Sequence, residues 1–148
     1  MRKIKTNNMK TKIFYLSFMV LAVTSCEKYR EFDHLEVIDN SFTGSISISE
    51  SAGDIDGMYN GSEDSGNYTF IWDNPTKGFV LNIDNASASG GTLQFVLEDS
   101  RGNEVLNETL TPGLSKAFSK DGKKGKWKVK IIFSDFEGNG SFDLNPIN

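Results

Sequence analysis

Lys126-Trp127-Lys128-Val129-Lys130-Ile131-Ile132-Phe133 decides the fold of this chain. Trp127, Val129, Ile131 and Phe133 occupy every second position, and Lys126, Lys128 and Lys130 fill the positions between. Successive side chains of a strand point to opposite faces, so the run predicts a half-buried strand with its lysines in water. Working outward, Glu137-Gly138-Asn139-Gly140 predicts a turn, then a last strand in which Phe142 and Leu144 alternate with Ser141 and Asp143. On the other side, Asp121-Gly122-Lys123-Lys124-Gly125 predicts a turn, preceded by a weak edge strand over Leu114 to Ser119.

The same period of two recurs further up the chain. Val105 to Leu110 pairs back through Asp99-Ser100-Arg101-Gly102-Asn103, a bulged hairpin turn, onto a strand marked by Leu93, Phe95 and Leu97. Ala86 to Gly91 reads as a loop of small residues, and Phe79, Leu81 and Ile83 mark another strand. Tyr68, Phe70 and Trp72 share one strand face. Glu50 to Asn67, polar and rich in glycine and serine, reads as a long loop. Phe42, Gly44, Ile46 and Ile48 alternate with hydroxylated residues in the first clear strand. The prediction is an all-β domain over residues 41–148: about eight strands in a two-sheet antiparallel β-sandwich, jelly-roll or immunoglobulin-like. Composition agrees, with 14 Gly, three Pro and many aromatics.

Residues 26–40 are densely charged and read as a tether. Leu35 and Val37 could instead pair at a sheet edge, and the spacing of Tyr29, Phe32 and Leu35 also fits a short helix. Before them stands a basic start (Arg2, Lys3, Lys5, Lys10, Lys12) and an uncharged apolar run, Ile13 to Val23. That run is too short for a permanent span, which needs about 20 apolar residues, and the whole of residues 1–25 reads as a signal peptide. Val23-Thr24-Ser25-Cys26 resembles the lipobox of bacterial lipoproteins: an aliphatic residue, two small ones, then Cys. The resemblance implies cleavage before Cys26, lipid on its sulfur and attachment to the outer membrane, on its periplasmic or its outer face. With one Cys in the chain, an internal disulfide is excluded.

A second resemblance covers Tyr68 to Leu144. The Asp99-Ser100-Arg101-Gly102 hairpin, the Gly125-Lys126-Trp127-Lys128-Val129 strand and the closing Gly140-Ser141-Phe142-Asp143-Leu144 are similar to the small β-sandwich domains appended to secreted bacterial proteases. Those domains are accessory, so the resemblance implies no catalysis.

Residues 26–148 carry 11 basic and 20 acidic residues, a formal charge of −9 that argues against a nucleic-acid binder. His34, the single histidine, lies in the tether and cannot serve a positioned triad or zinc site. Paired carboxylates could serve a glycosidase, but the acids fall mostly in turns and on outer faces. The expectation is no enzyme.

Four groups are candidates for binding. Asp54 and Asp56, with Asn60, Glu63 and Asp64 nearby, offer oxygens to Ca²⁺ on a loop, though the full calcium-loop series is missing; a solvated loop is the plainer reading. Tyr59, Tyr68 and Trp72, rimmed by Asn67 and Asn74, could stack on sugar rings; their shared spacing more simply means core. Trp127 reads as core. Lys124, Lys126, Lys128 and Lys130 belong to a basic stretch, Lys116 to Lys130, which either guards a sheet edge or docks something anionic. The functional expectation is a lipid-anchored, non-enzymatic binding or assembly accessory of the cell envelope, partnered by membrane and by a glycan or an envelope protein. A carbohydrate-binding module of a glycan-uptake system is the alternative, and a small hydrolase the third reading. No cofactor is expected beyond that possible Ca²⁺.

Overall fold

In the computed structural model Trp127, Val129, Ile131 and Phe133 are buried, and the positions between them are not. The structure describes residues 35–147. The expected signal peptide, Cys26, His34 and the first part of the expected tether lie outside them. Eight strands follow: β1 (Glu36–Asn40), β2 (Ser45–Ser51), β3 (Asp54–Asn74), β4 (Gly78–Asp84), β5 (Ala88–Glu98), β6 (Glu104–Leu110), β7 (Lys116–Asp121) and β8 (Gly125–Ile147). Every pairing is antiparallel, and all eight strands share one continuous hydrogen-bonded network.

Length dictates the shape. At about 3.3 Å per residue, a straight strand of 21 residues would reach roughly 70 Å, about twice the width of a domain this size. β3 has 21 residues and β8 has 23. They pair with each other along nearly their whole course and fold over together. The fold-over lies where the register breaks, between Gly61 and Gly66 on β3. There Glu63 and, on β8, Asp135 have positive φ (60° and 48°). Gly66 has φ +128°, and a Cβ on it would lie 2.2 Å from the Ser41 carbonyl oxygen, so no other residue fits. Side chains pin the corner. Thr43 Oγ1 donates to Asp64 Oδ1 (2.7 Å), and the Asp135 N–H donates to Ser65 Oγ (2.8 Å). The Ser62 N–H and then Thr43 hold the Asp64 carboxyl below the ordinary carboxylate range.

The result is two five-stranded layers that share their two central strands. Layer A is ordered β2, β3 (54–61), β8 (138–147), β4, β7. Layer B is ordered β1, β3 (66–74), β8 (125–133), β5, β6. The pairs β3·β8, β4·β7 and β5·β6 are nested, as in a ribbon rolled on itself, so the sandwich is of the jelly-roll kind and not immunoglobulin-like. The inner faces meet through aromatic edges. Phe95 of layer B meets Phe142 of layer A at 5.2 Å between ring centroids, and Trp127 of layer B meets Phe79 of layer A at 5.6 Å, with Trp72 beside it in its own layer at 5.7 Å. Both indole N–H groups find carbonyls, Trp72 on Gly53 (2.8 Å) and Trp127 on Lys123 (2.7 Å).

Three expectations need correction. Glu50 to Asn67 is not a loop: β2 ends at Ser51, a two-residue turn of Ala52 and Gly53 follows, and β3 begins at Asp54. Burial there does alternate, through Ile55, Gly57, Tyr59 and Gly61. Two of the four inward residues are glycines, which removes the hydrophobic signal. Glycine is required, since a Cβ on Gly57 would lie 2.1 Å from the Phe142 ring. Glu137 to Gly140 is likewise no turn, because β8 runs through it in register with β3. The domain also begins earlier than residue 41: β1, inside the expected tether, pairs with β3 at the edge of layer B.

The hairpin at Asp99 forms as expected. Asp99 is buried, and its carboxylate accepts from Asn103 Nδ2, from the Arg101 and Asn103 N–H groups, and from the Lys123 N–H across the gap to the β7–β8 turn. These bonds, the Asn103 side chain first, hold its pKa low against the opposing effect of burial.

Candidate functional site

The outer face of layer A is concave. Its floor is made by the outward residues of four strands, set in rows by the ladder. Ser45, Asn60 and Asn139 form the first row. Ser47, Met58, Ser141 and Asp84 form the second, and Ser49, Asp56, Asp143 and Asn82 the third. Strand spacing of about 4.8 Å fixes the distance between neighbours in a row, and every second residue along a strand, about 7 Å, fixes the distance between rows. A groove of about 520 Å³ lies over the first two rows, and a second depression of about 280 Å³ adjoins it over the last two.

Met58 lies between them and lines both. It is 66% exposed, the most exposed large apolar side chain among the described residues. Its neighbours in the row are the serines 47 and 141, too small to cover it. Around this apolar point stand hydroxyl, amide and carboxylate groups. Asp143 Oδ2 accepts from Asn82 Nδ2 (2.7 Å) and Asn145 Nδ2 (3.0 Å). Asp84 Oδ1 accepts from Ser115 Oγ (2.8 Å) and from the Ala86 N–H (3.1 Å). The Ala86 N–H, then Ser115, keep Asp84 below the ordinary carboxylate range, so it is an ionised acceptor and ill suited to donate a proton in catalysis.

Tyr59 supports the floor from inside. Its ring packs edge-on against Phe133 and Phe136, and its hydroxyl reaches the Asn85 side-chain oxygen (3.4 Å). Burial, with the Asp84 charge behind it, pushes that hydroxyl far above its usual pKa. Gly140 leaves the room: a Cβ there would lie 2.5 Å from the Tyr59 hydroxyl.

The aromatic platform does not exist. Tyr59, Tyr68 and Trp72 are 2%, 8% and 1% exposed and belong to the core. All three occupy inward positions of β3, and the fold-over places Tyr59 in layer A and the other two in layer B. The calcium reading loses its premise as well, since Asp54 and Asp56 stand on a laddered strand and not on a bendable loop. Asp64 is committed to the corner. Among the described residues no group of three or more His, Cys, Asp or Glu is placed to hold a metal ion.

The lysines are placed differently from either expectation. Lys128 and Lys130 lie on β8 between β3 and β5 and guard no edge, and Lys126 pairs with β3 just past the end of β5. Lys126 is in register with Asp73, Lys128 with Glu98, and Lys130 with Thr69 and Val96. Lys128 Nζ is 2.6 Å from Glu98 Oε2. Lys124 is exposed in the turn before β8. The guarded edge is β7, whose Lys116 and Lys120 share the register side of Ile83 and Phe79 and put charge on the inward side of an outer strand. Met58 and Asn139 were missed because the segments that carry them were read as a loop and a turn; Asn60 was read as a calcium donor, and Ser141 only as an outward strand residue. The alternation of Ile55, Gly57, Tyr59 and Gly61 was the available signal.

The sequence matches no family model and no curated protein. Among solved structures the chain is similar to TmCBM61 in complex with β-1,4-galactotriose, at 14% identity over 70% of this chain and 84% of that one, with a TM-score of 0.45. It is similar to a carbohydrate-binding module from Cellvibrio mixtus lichenase 5A in complex with cellotriose, at 12% identity over 76% and 93%, with a TM-score of 0.42. It is also similar to a family 29 carbohydrate-binding module mutant complexed with mannohexaose, at 14% identity over 75% and 89%, with a TM-score of 0.38.

Proposed function

We propose that this protein is a non-catalytic glycan-binding module, held at the outer membrane by lipid on Cys26, and that the concave outer face of layer A is its binding surface. The observation that carries the reading is the groove itself: an exposed apolar side chain, Met58, ringed by hydroxyl, amide and carboxyl groups. A sugar presents an apolar C–H face and a rim of hydroxyls that both donate and accept. Such a surface meets both demands, and groups fixed on laddered strands lose little freedom when they bind. The oxygens of Asp84 and Asp143 are acceptors for sugar hydroxyls, and Asn60 and Asn139 supply donors.

Galactotriose, cellotriose and mannohexaose are suitable first probes. Titrated calorimetrically into the full chain in detergent micelles, at least one should bind. Met58→Ala should weaken that binding roughly tenfold, the loss of one well-covered apolar contact, with the unfolding temperature unchanged. Binding that ignores Met58→Ala and Asn60→Ala would remove the groove from the reading. The anchor is tested separately. Cys26→Ser should shift the protein from the membrane to the soluble fraction and abolish fatty-acid labelling, and equal label on the variant would refute it.

A further inference from the structure

The charge on this face is one-sided. The outward rows of layer A hold Asp54, Asp56, Asp84 and Asp143. Every Lys and Arg among the described residues lies elsewhere: in turns, on the inward side of β7 or on layer B. Asp56 and Asp143 stand directly opposite each other across β3 and β8. Like charges in that position destabilise a sheet. The amides of Asn82 and Asn145 relieve Asp143 in part, but no ammonium or guanidinium does.

We propose that the groove selects its glycan by charge: it takes neutral chains and refuses carboxylated or sulfated ones, and Asp56 and Asp143 enforce the choice. This rests on the glycan-binding reading of the same face. A chain seated over the second and third rows brings its ring substituents within the span of three fixed carboxylates. At 0.1 M salt the Debye length is about 10 Å, so a uronate or sulfate in the groove feels all three. With hydroxyls and amides as the only other groups, nothing on the floor offsets that repulsion. A neutral chain meets the same carboxylates as hydrogen-bond acceptors.

The test uses matched hexamers that differ only at C6, CH₂OH against carboxylate: cellohexaose with the β-1,4-glucuronan hexamer, and mannohexaose with the β-1,4-mannuronan hexamer. Each is titrated into the full chain in detergent micelles at low and at high salt. The neutral member of a pair should bind at least roughly tenfold tighter than its acidic partner at low salt, as expected for two or three repulsions across a wet groove, and the gap should narrow at high salt. Asp56→Asn with Asp143→Asn should close most of the gap by raising the affinity for the acidic chain. Lys126→Gln with Lys130→Gln, on the opposite layer, should leave it unchanged. An acidic chain that binds as well as its neutral partner overturns the inference and leaves the glycan-binding reading standing. If neither the hexamers nor galactotriose binds, both fall; if galactotriose alone binds, the glycan-binding reading stands and this inference falls. A gap that persists in the Asp56→Asn, Asp143→Asn variant overturns the assignment to these residues.

Discussion

β8 crosses both layers, and its two halves face solvent with opposite chemistry. In layer B it presents Lys126 beside Asp73, Lys128 paired with Glu98, and Lys130 beside Thr69 and Val96. In layer A the same strand presents Asn139, Ser141 and Asp143 beside Asn60, Met58 and Asp56. There the carboxylates have only amides and hydroxyls for company, two of them face each other, and the one apolar side chain is left in water. Layer B's outer face sets acid beside base at two of its three lysines; layer A's sets acid against acid, and layer A's is hollowed. A surface whose groups already answer one another has little to offer a ligand, whereas departures from local consistency gather where function is. On the proposed function the conspicuous lysine run belongs to the scaffold, and the inconspicuous serines, amides and Met58 belong to the proposed site.

Removing what the faces share should have the largest effect. Trp127→Ala empties the inner space between Trp72 and Phe79 and should cost about 3–5 kcal/mol, transfer plus cavity, read as a lower denaturant midpoint. It should impair both faces together. Gly57→Ala separates them. The added methyl meets the Phe142 ring under the layer A floor and should cost about 1–3 kcal/mol, the usual penalty of overpacking. Glycan binding should be lost even at temperatures where the protein remains folded. Retained binding with a displaced Phe142 would show that the floor does not depend on that packing.

Asp99 probes the far end of layer B. Its folded pKa is lowered, so the stability it contributes is full above the unfolded value near 3.8 and is lost as pH falls through the folded value. Asp99→Asn should lower the unfolding temperature at neutral pH, lose less on acidification than wild type, and leave groove binding intact. An equal acid response in both proteins would show that the carboxylate is not the group that matters. Lys128→Gln should do least. An exposed pair of this kind is worth about 0–1 kcal/mol, and binding on layer A should not change. A clear loss of binding would mean that the two faces communicate.

Much of the scaffold is legible in the sequence. Strands that bury one large apolar side chain every second residue declare themselves, as in Phe79 to Ile83, Leu93 to Leu97 and Trp127 to Phe133. So does the Asp99 hairpin, because its turn chemistry is local. The segments that build the groove floor do not. Residues 54–61 and 138–141 place glycine on the inward side where other strands place phenylalanine, and composition makes such segments look like loops. Their glycines are required by rings that arrive from elsewhere: Phe142 over Gly57, Tyr59 over Gly140.

The alternating pattern by itself determined that the chain is an antiparallel β-sandwich with Trp72, Tyr68 and Trp127 inside, since a period of two assigns each residue to a face of its own strand. It could not determine which strands neighbour one another. Only the fold-over at residues 61–66 and 134–136 decided that β3 and β8 pass through both layers, that the lysines sit among acids in mid-sheet, and that Asp56 meets Asp143. The physical reason is that a face is a local property of the backbone, whereas a neighbour across the ladder is set by the register of residues some ninety positions apart in the chain.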